Sequence, residues 1–217
     1  MFRLRLVIAI LLSSLFVAPM FLIGCGAKKE VVKAEAPQKP SKAEYLDMLN
    51  KWTKSVKVYD GFDTRLYASA TYKERSLREA YIRYYSASYQ MDDAYRKSLL
   101  DREVNEADRY NEFFFAAYTP EDRWNDFEQR DSLWKLFLED SAGGRVVPVS
   151  VKKLDRSDPL LREMFPYFDL WSSAYIIKFP KYSETGKDPI PNKDSKYLKM
   201  TITGIIGKGE LIWKIKD

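Results

Sequence analysis

Asp122, Asp126, Glu139 and Asp140 share one stretch of chain with Trp124, Phe127 and Trp134. Two carboxylates at a suitable separation, flanked by aromatic rings on which a sugar can stack, are enough for glycoside hydrolysis. Charged residues beside aromatics are also what the edge of a β-sandwich displays. Other chemistries are excluded by composition. The chain has no histidine, which removes Ser-His-Asp and Cys-His catalysis and the usual zinc sites. Gly207-Lys208-Gly209 lacks the remainder of a phosphate-binding loop and reads as a turn. No Asp-rich stretch has the spacing of a helix-loop-helix calcium site, so neither metal nor cofactor is expected.

The single cysteine, Cys25, follows directly on an apolar run. Arg3 and Arg5 precede Leu6 to Ile23, which is broken only by Ser13, Ser14 and Pro19. A positive start followed by an apolar segment is the build of a secretory signal peptide. A run of this length is also long enough to span a bilayer as a helix. Leu22-Ile23-Gly24-Cys25 resembles the lipobox of bacterial lipoproteins, a four-residue motif whose position after the apolar run makes it specific. That resemblance implies a diacylglycerol on the Cys25 thiol and cleavage between Gly24 and Cys25. It further implies that Cys25 is an anchor with no disulfide or catalytic role. Two or three acyl chains hold a protein on a membrane stably, at ~0.8 kcal/mol per buried methylene. Gly26 stands where, in the lipoproteins of two-membraned bacteria, an aspartate favours inner-membrane retention. The resemblance therefore implies the outer membrane, facing the periplasm.

Removal of residues 1–24 takes away two of the 36 basic residues and none of the 31 acidic ones, leaving a net charge of +3. With both signs interspersed, no nucleic-acid partner is expected. Residues 25–40 are rich in Lys, Ala and Pro and read as a flexible tether. At ~3.3 Å per residue, the sixteen steps from Cys25 to Ser41 reach about 50 Å when extended.

Residues 41–217 then suffice for one domain. Ser41-Lys42-Ala43-Glu44 and Ser76-Leu77-Arg78-Glu79 are capping boxes that open helices. The first helix carries Tyr45, Met48, Leu49 and Trp52, and the second meets no Pro or Gly until about Arg109. Strands are expected at 55–59, 64–72, 112–118, 133–139, 145–153, 173–179, 197–204 and 210–216. Turns are expected at Ser141-Ala142-Gly143-Gly144 and Gly207-Lys208-Gly209, and short helices after Pro120 and at Asp158-Pro159. This pattern predicts an α+β chain: an antiparallel β-sandwich of immunoglobulin-like character with one long helical insertion, about 76–110, after the first strand.

On that insertion Leu77, Tyr81, Tyr84, Ser88, Met91, Tyr95 and Leu99 form one stripe facing the core. Ile82, Tyr85, Tyr89 and Leu100 form a second flank. Cover by a neighbouring segment is one account of it, and a partner-binding surface is the other, since aromatics are enriched at interfaces. Two functions follow as expectations. One is a membrane-anchored lipoprotein of the cell envelope that binds an envelope protein or component without catalysis. The alternative is a periplasmic glycan hydrolase using paired carboxylates.

Overall fold

The computed structural model describes residues 42–183 and 188–216. In chain order the elements are α1 (Lys42–Trp52), β1 (Thr53–Asp60), β2 (Asp63–Tyr72), α2 (Arg75–Ser88), α3 (Asp93–Arg109) and β3 (Tyr110–Tyr118). They continue with a single 3-10 turn at Asp122–Trp124, β4 (Trp134–Asp140), β5 (Arg145–Val146), β6 (Ser150–Lys153) and α4 (Pro159–Met164). The chain closes with β7 (Ser173–Pro180), β8 (Tyr197–Gly204) and β9 (Gly207–Lys214). The lipobox, Cys25, the tether and Ser41 lie outside the described residues.

The strands form two sheets, a five-stranded one in the order β1-β2-β3-β7-β6 and a four-stranded one in the order β5-β4-β8-β9. Every pairing is antiparallel. The fold is mixed α+β. β3 sits in the middle of the first sheet, and residues Asn111 to Ala117 are all buried, because a central strand covered on both faces has no solvent side to alternate with. The two sheets share one hydrophobic core. Phe113 of β3 meets Trp213 of β9 with ring centroids 5.0 Å apart, and Trp213 donates its indole N–H to the Trp52 carbonyl at 2.7 Å.

Four expectations needed correction. The helical insertion follows the second strand and is two helices, with a break at Tyr89 to Asp92. Gln90 adopts a left-handed φ of 50°, and the Met91 and Gln90 N–H groups bond back to the Ser86 and Ala87 carbonyls at 2.9 and 3.3 Å. That is the Schellman closure of a helix end. Asp92 then caps α3 by accepting from the Tyr95 N–H at 2.7 Å. The cap of α2 is Glu74, not Ser76, and its carboxylate accepts from the Ser76 N–H at 2.7 Å.

The strand expected at 145–153 is two strands in different sheets. Pro148 lies between them, and a proline cannot donate to a ladder. The turn expected at Gly207-Lys208-Gly209 falls instead at Ile205-Ile206, and both glycines lie within β9. Their lack of a side chain lets β9 run close along β1. A Cβ on Gly209 would stand 3.0 Å from Val58 and 3.2 Å from Val56, and one on Gly207 would stand 2.5 Å from Val58.

Candidate functional site

The outer face of the first sheet is covered in bands. At one end Lys73, Glu112 and Lys178 lie under α2 and α3. Arg78 of α2 is 2% exposed and donates to Glu103 of α3 at 2.5 Å, with Glu112 3.6 Å away. Lys73 bonds Glu112 at 2.5 Å and approaches Glu103 at 3.3 Å, while Lys178 pairs with Glu106. Burial pushes the Glu112 carboxyl up, but the charges of Lys73, Arg78 and Lys178 outweigh it and hold the group below the ordinary carboxylate value. The next band, Thr71 and Phe114, is covered by the segment after α4. Phe165 stacks on Phe114 at 3.7 Å, and the Tyr167 hydroxyl bonds that of Thr71 at 2.6 Å.

Beyond Tyr167 the cover stops. Ser55, Ser69 and Ala116 form one rung across β1, β2 and β3, and their short side chains make the floor of a trough. The next rung, Lys57, Tyr67 and Tyr118, forms one wall, Tyr167 over Thr71 forms the other, and Trp171, two residues before the Ser173 that pairs with Ala117, also lines the trough. The cavity measures about 650 Å³. The two walls stand on rungs four residues apart, about 13 Å at ~3.3 Å per residue.

Each wall is fixed from behind. Tyr67 packs against Tyr118 and against Tyr59, both at 5.9 Å, with the Lys57 ammonium 5.2 Å from its ring centre. Its hydroxyl meets those of Thr64 and Tyr59 at 3.2 and 3.1 Å. Hydrogen bonding by Thr64, then by Tyr59, together with the nearby Lys57 charge, lowers the Tyr67 phenol, while the same bond to Tyr67 raises Tyr59. Trp171 is 75% exposed. It is held on a turn in which Asp169 accepts from the Trp171 and Ser172 N–H groups at 3.0 and 2.8 Å.

The carboxylates singled out from sequence do not form a free pair. Asp140 is buried and accepts four bonds, from the Ala142 and Gly144 N–H groups at 3.1 and 2.8 Å and from the Asn192 N–H and Ser195 hydroxyl at 3.1 and 2.6 Å. Burial raises its carboxyl, and these donors more than reverse that. Asp126 closes a turn by accepting from Ser132 and the Leu133 N–H at 2.8 and 3.1 Å. Glu139 faces the opposite side of β4 from Asp140 and pairs with Lys199 at 3.1 Å and Arg145 at 3.5 Å. Asp122 is exposed in the 3-10 turn. Among the described residues, no group of three or more Cys, Asp or Glu could hold a metal ion, and no helix is long and apolar enough to cross a membrane.

The expected flank of the insertion is also dispersed. Ile82 is buried at 4% exposure, because α3 folds back on α2 once the helix breaks, and this corrects its placement on a binding surface. Tyr85 and Leu100 are half-buried. Tyr89 is exposed, in ring contact with Tyr85 at 4.7 Å. In the core stripe Leu77, Tyr84 and Leu99 are buried, whereas Tyr95 is 52% exposed and Met91 half-buried. Sequence reasoning missed the trough, whose residues come from three strands and a distant loop. The local signal for it is a small outward residue, Ser55 or Ser69, two positions from an outward Lys57 or Tyr67.

No family model matches the chain, and no curated protein matches it. Among solved structures it is similar to a novel protein of unknown function from Burkholderia pseudomallei K96243, at 10% identity and a TM-score of 0.41, over 78% of this chain and 81% of that one. A likeness at that score carries no argument about fold or function.

Proposed function

We propose that the chain is a lipoprotein of the cell envelope, anchored through Cys25 to the periplasmic leaflet of the outer membrane, and that it binds an envelope component without catalysis. The lipobox resemblance supports the anchor. The observation that carries the binding function is the trough of about 650 Å³, which begins where the cover given by Phe165 and Tyr167 stops. Concave sites with aromatic walls and a few polar groups are where ligands bind. This moves the binding surface from the helical flank to the first sheet. The paired sheets are read as a β-sandwich of immunoglobulin-like character, supported by antiparallel pairing throughout and by the aromatic contacts that join the sheets.

The test is photocrosslinking in intact cells. A photoreactive phenylalanine analogue replaces Trp171, Tyr118 or, as a control on the exposed side of β9, Lys214. Adducts to one common envelope component are expected from positions 171 and 118 and not from 214. Equal yields at all three positions would overturn the reading.

A further inference from the structure

Resting on that reading of the trough as the binding site, we infer that its ligand is a neutral glycan chain lying across β1, β2 and β3, stacked on Trp171 and Tyr118. The first ground is shape. A rung of small residues, Ser55, Ser69 and Ala116, crosses three strands between Tyr167, which bonds Thr71, and the Tyr67–Tyr118 rung, four residues or about 13 Å away at ~3.3 Å each, with Trp171 also in the lining. A flat ring can enter such a space with its apolar face against an aromatic side chain. Trp171 presents 75% of its surface on a turn that fixes its backbone.

The second ground is the polar lining. The Ser55 and Ser69 hydroxyls bond each other at 2.8 Å. A hydroxyl donates once and accepts twice, so this pair keeps one donor and spare acceptor capacity for groups that likewise both donate and accept. Sugar hydroxyls have that character. The lining carries one charge of each sign: Lys57, over the Tyr67 ring, and Asp169, whose Oδ1 accepts two backbone N–H groups. Neither sign dominates, which selects against a strongly anionic or cationic ligand.

The third ground separates a glycan from an extended peptide. A peptide added to a sheet takes its affinity from unpaired main-chain groups along a strand edge. The trough lies mainly on a sheet face instead, where β2 and β3 are each paired on both sides, and only β1 along its rim is an edge strand. Over β2 and β3 the floor therefore offers side-chain groups and ring faces rather than a backbone ladder.

The experiment uses the purified full-length chain in detergent, titrated calorimetrically with neutral gluco-, manno- and N-acetylglucosamine oligosaccharides and, beside them, with an uncharged extended peptide able to pair as a β-strand. At least one sugar series is expected to bind saturably. Trp171→Ala and Tyr118→Ala should each weaken it about tenfold, a loss of about 1.4 kcal/mol, and Trp171→Ala should do so with unchanged melting temperature. Ser69→Leu, which raises the floor, should abolish it. Because the ligand is neutral, affinity should change less than about twofold between low and high salt. If no sugar binds while photoadducts still form at positions 171 and 118, the glycan assignment fails and the trough remains the binding site. Preferential binding of the peptide likewise defeats the glycan assignment. Sugar binding that survives all three substitutions places the ligand elsewhere and overturns the inference.

Discussion

Ile82 and Tyr89 show how much one side chain's role depends on what another part of the chain brings against it. Both stand on the flank that helical periodicity separates from the core stripe, yet Ile82 is 4% and Tyr89 58% exposed. Ile82→Ala is expected to cost about 2–5 kcal/mol, as truncation of a buried aliphatic side chain does. Tyr89→Ala should stay within about 0.5 kcal/mol of wild type. Thermal melts of the two variants check this, and equal losses would show that both are packed. The same contrast governs the carboxylates. Asp140 looks in sequence like a candidate acid, but four donors hold it ionised as a structural hub for the Ser141–Gly144 turn and for Ser195. A carboxylate so fully bonded has no lone pair left for a substrate.

At the scale of elements, the buried charges under α2 and α3 tie the helical insertion to the sheet. Taking one partner from a buried ion network leaves the others uncompensated, so Glu112→Gln should destabilise the protein by about 3 kcal/mol. The pH dependence follows from the depressed Glu112 pKa. A carboxyl whose folded pKa lies below its unfolded value of about 4.3 contributes stability above that value, and the contribution is lost as pH falls through the folded pKa. Acid unfolding of Glu112→Gln should therefore be shallower than that of wild type below about pH 4.3. Parallel curves would show that Glu112 is not held ionised by the network. The element types were legible from local pattern. Of α1, β2, α4 and β8, each has its buried residues at helical or alternating spacing or its cap in sequence. The break between α2 and α3 was less so, because no glycine marks it. Gln90 takes the left-handed position, and the signal present in the sequence was Asp92-Asp93, an N-cap inside an expected helix.

At the scale of the whole molecule, the proposed anchor at Cys25 and the proposed binding trough belong to different stretches of chain and are testable apart. Cys25→Ala should leave the protein without lipid, uncut before position 25 and lost from the outer-membrane fraction. Unchanged gel mobility and normal fractionation of that variant would sink the anchor. Trp171→Ala should leave fractionation as it is. The sequence by itself determined what depends on neighbours in the chain: the lipobox resemblance, the strand and helix types, and the absence of histidine chemistry. Only the tertiary structure decided where on the outward face of the first sheet an open trough is left. Phe114 and Thr71 are roofed by Phe165 and Tyr167, from a segment far along the chain, while Ser55, Ser69 and Ala116 line an open trough. Periodicity assigns a residue to a face. Whether that face is then covered depends on the path of distant segments, and so on burial energies that no local pattern contains.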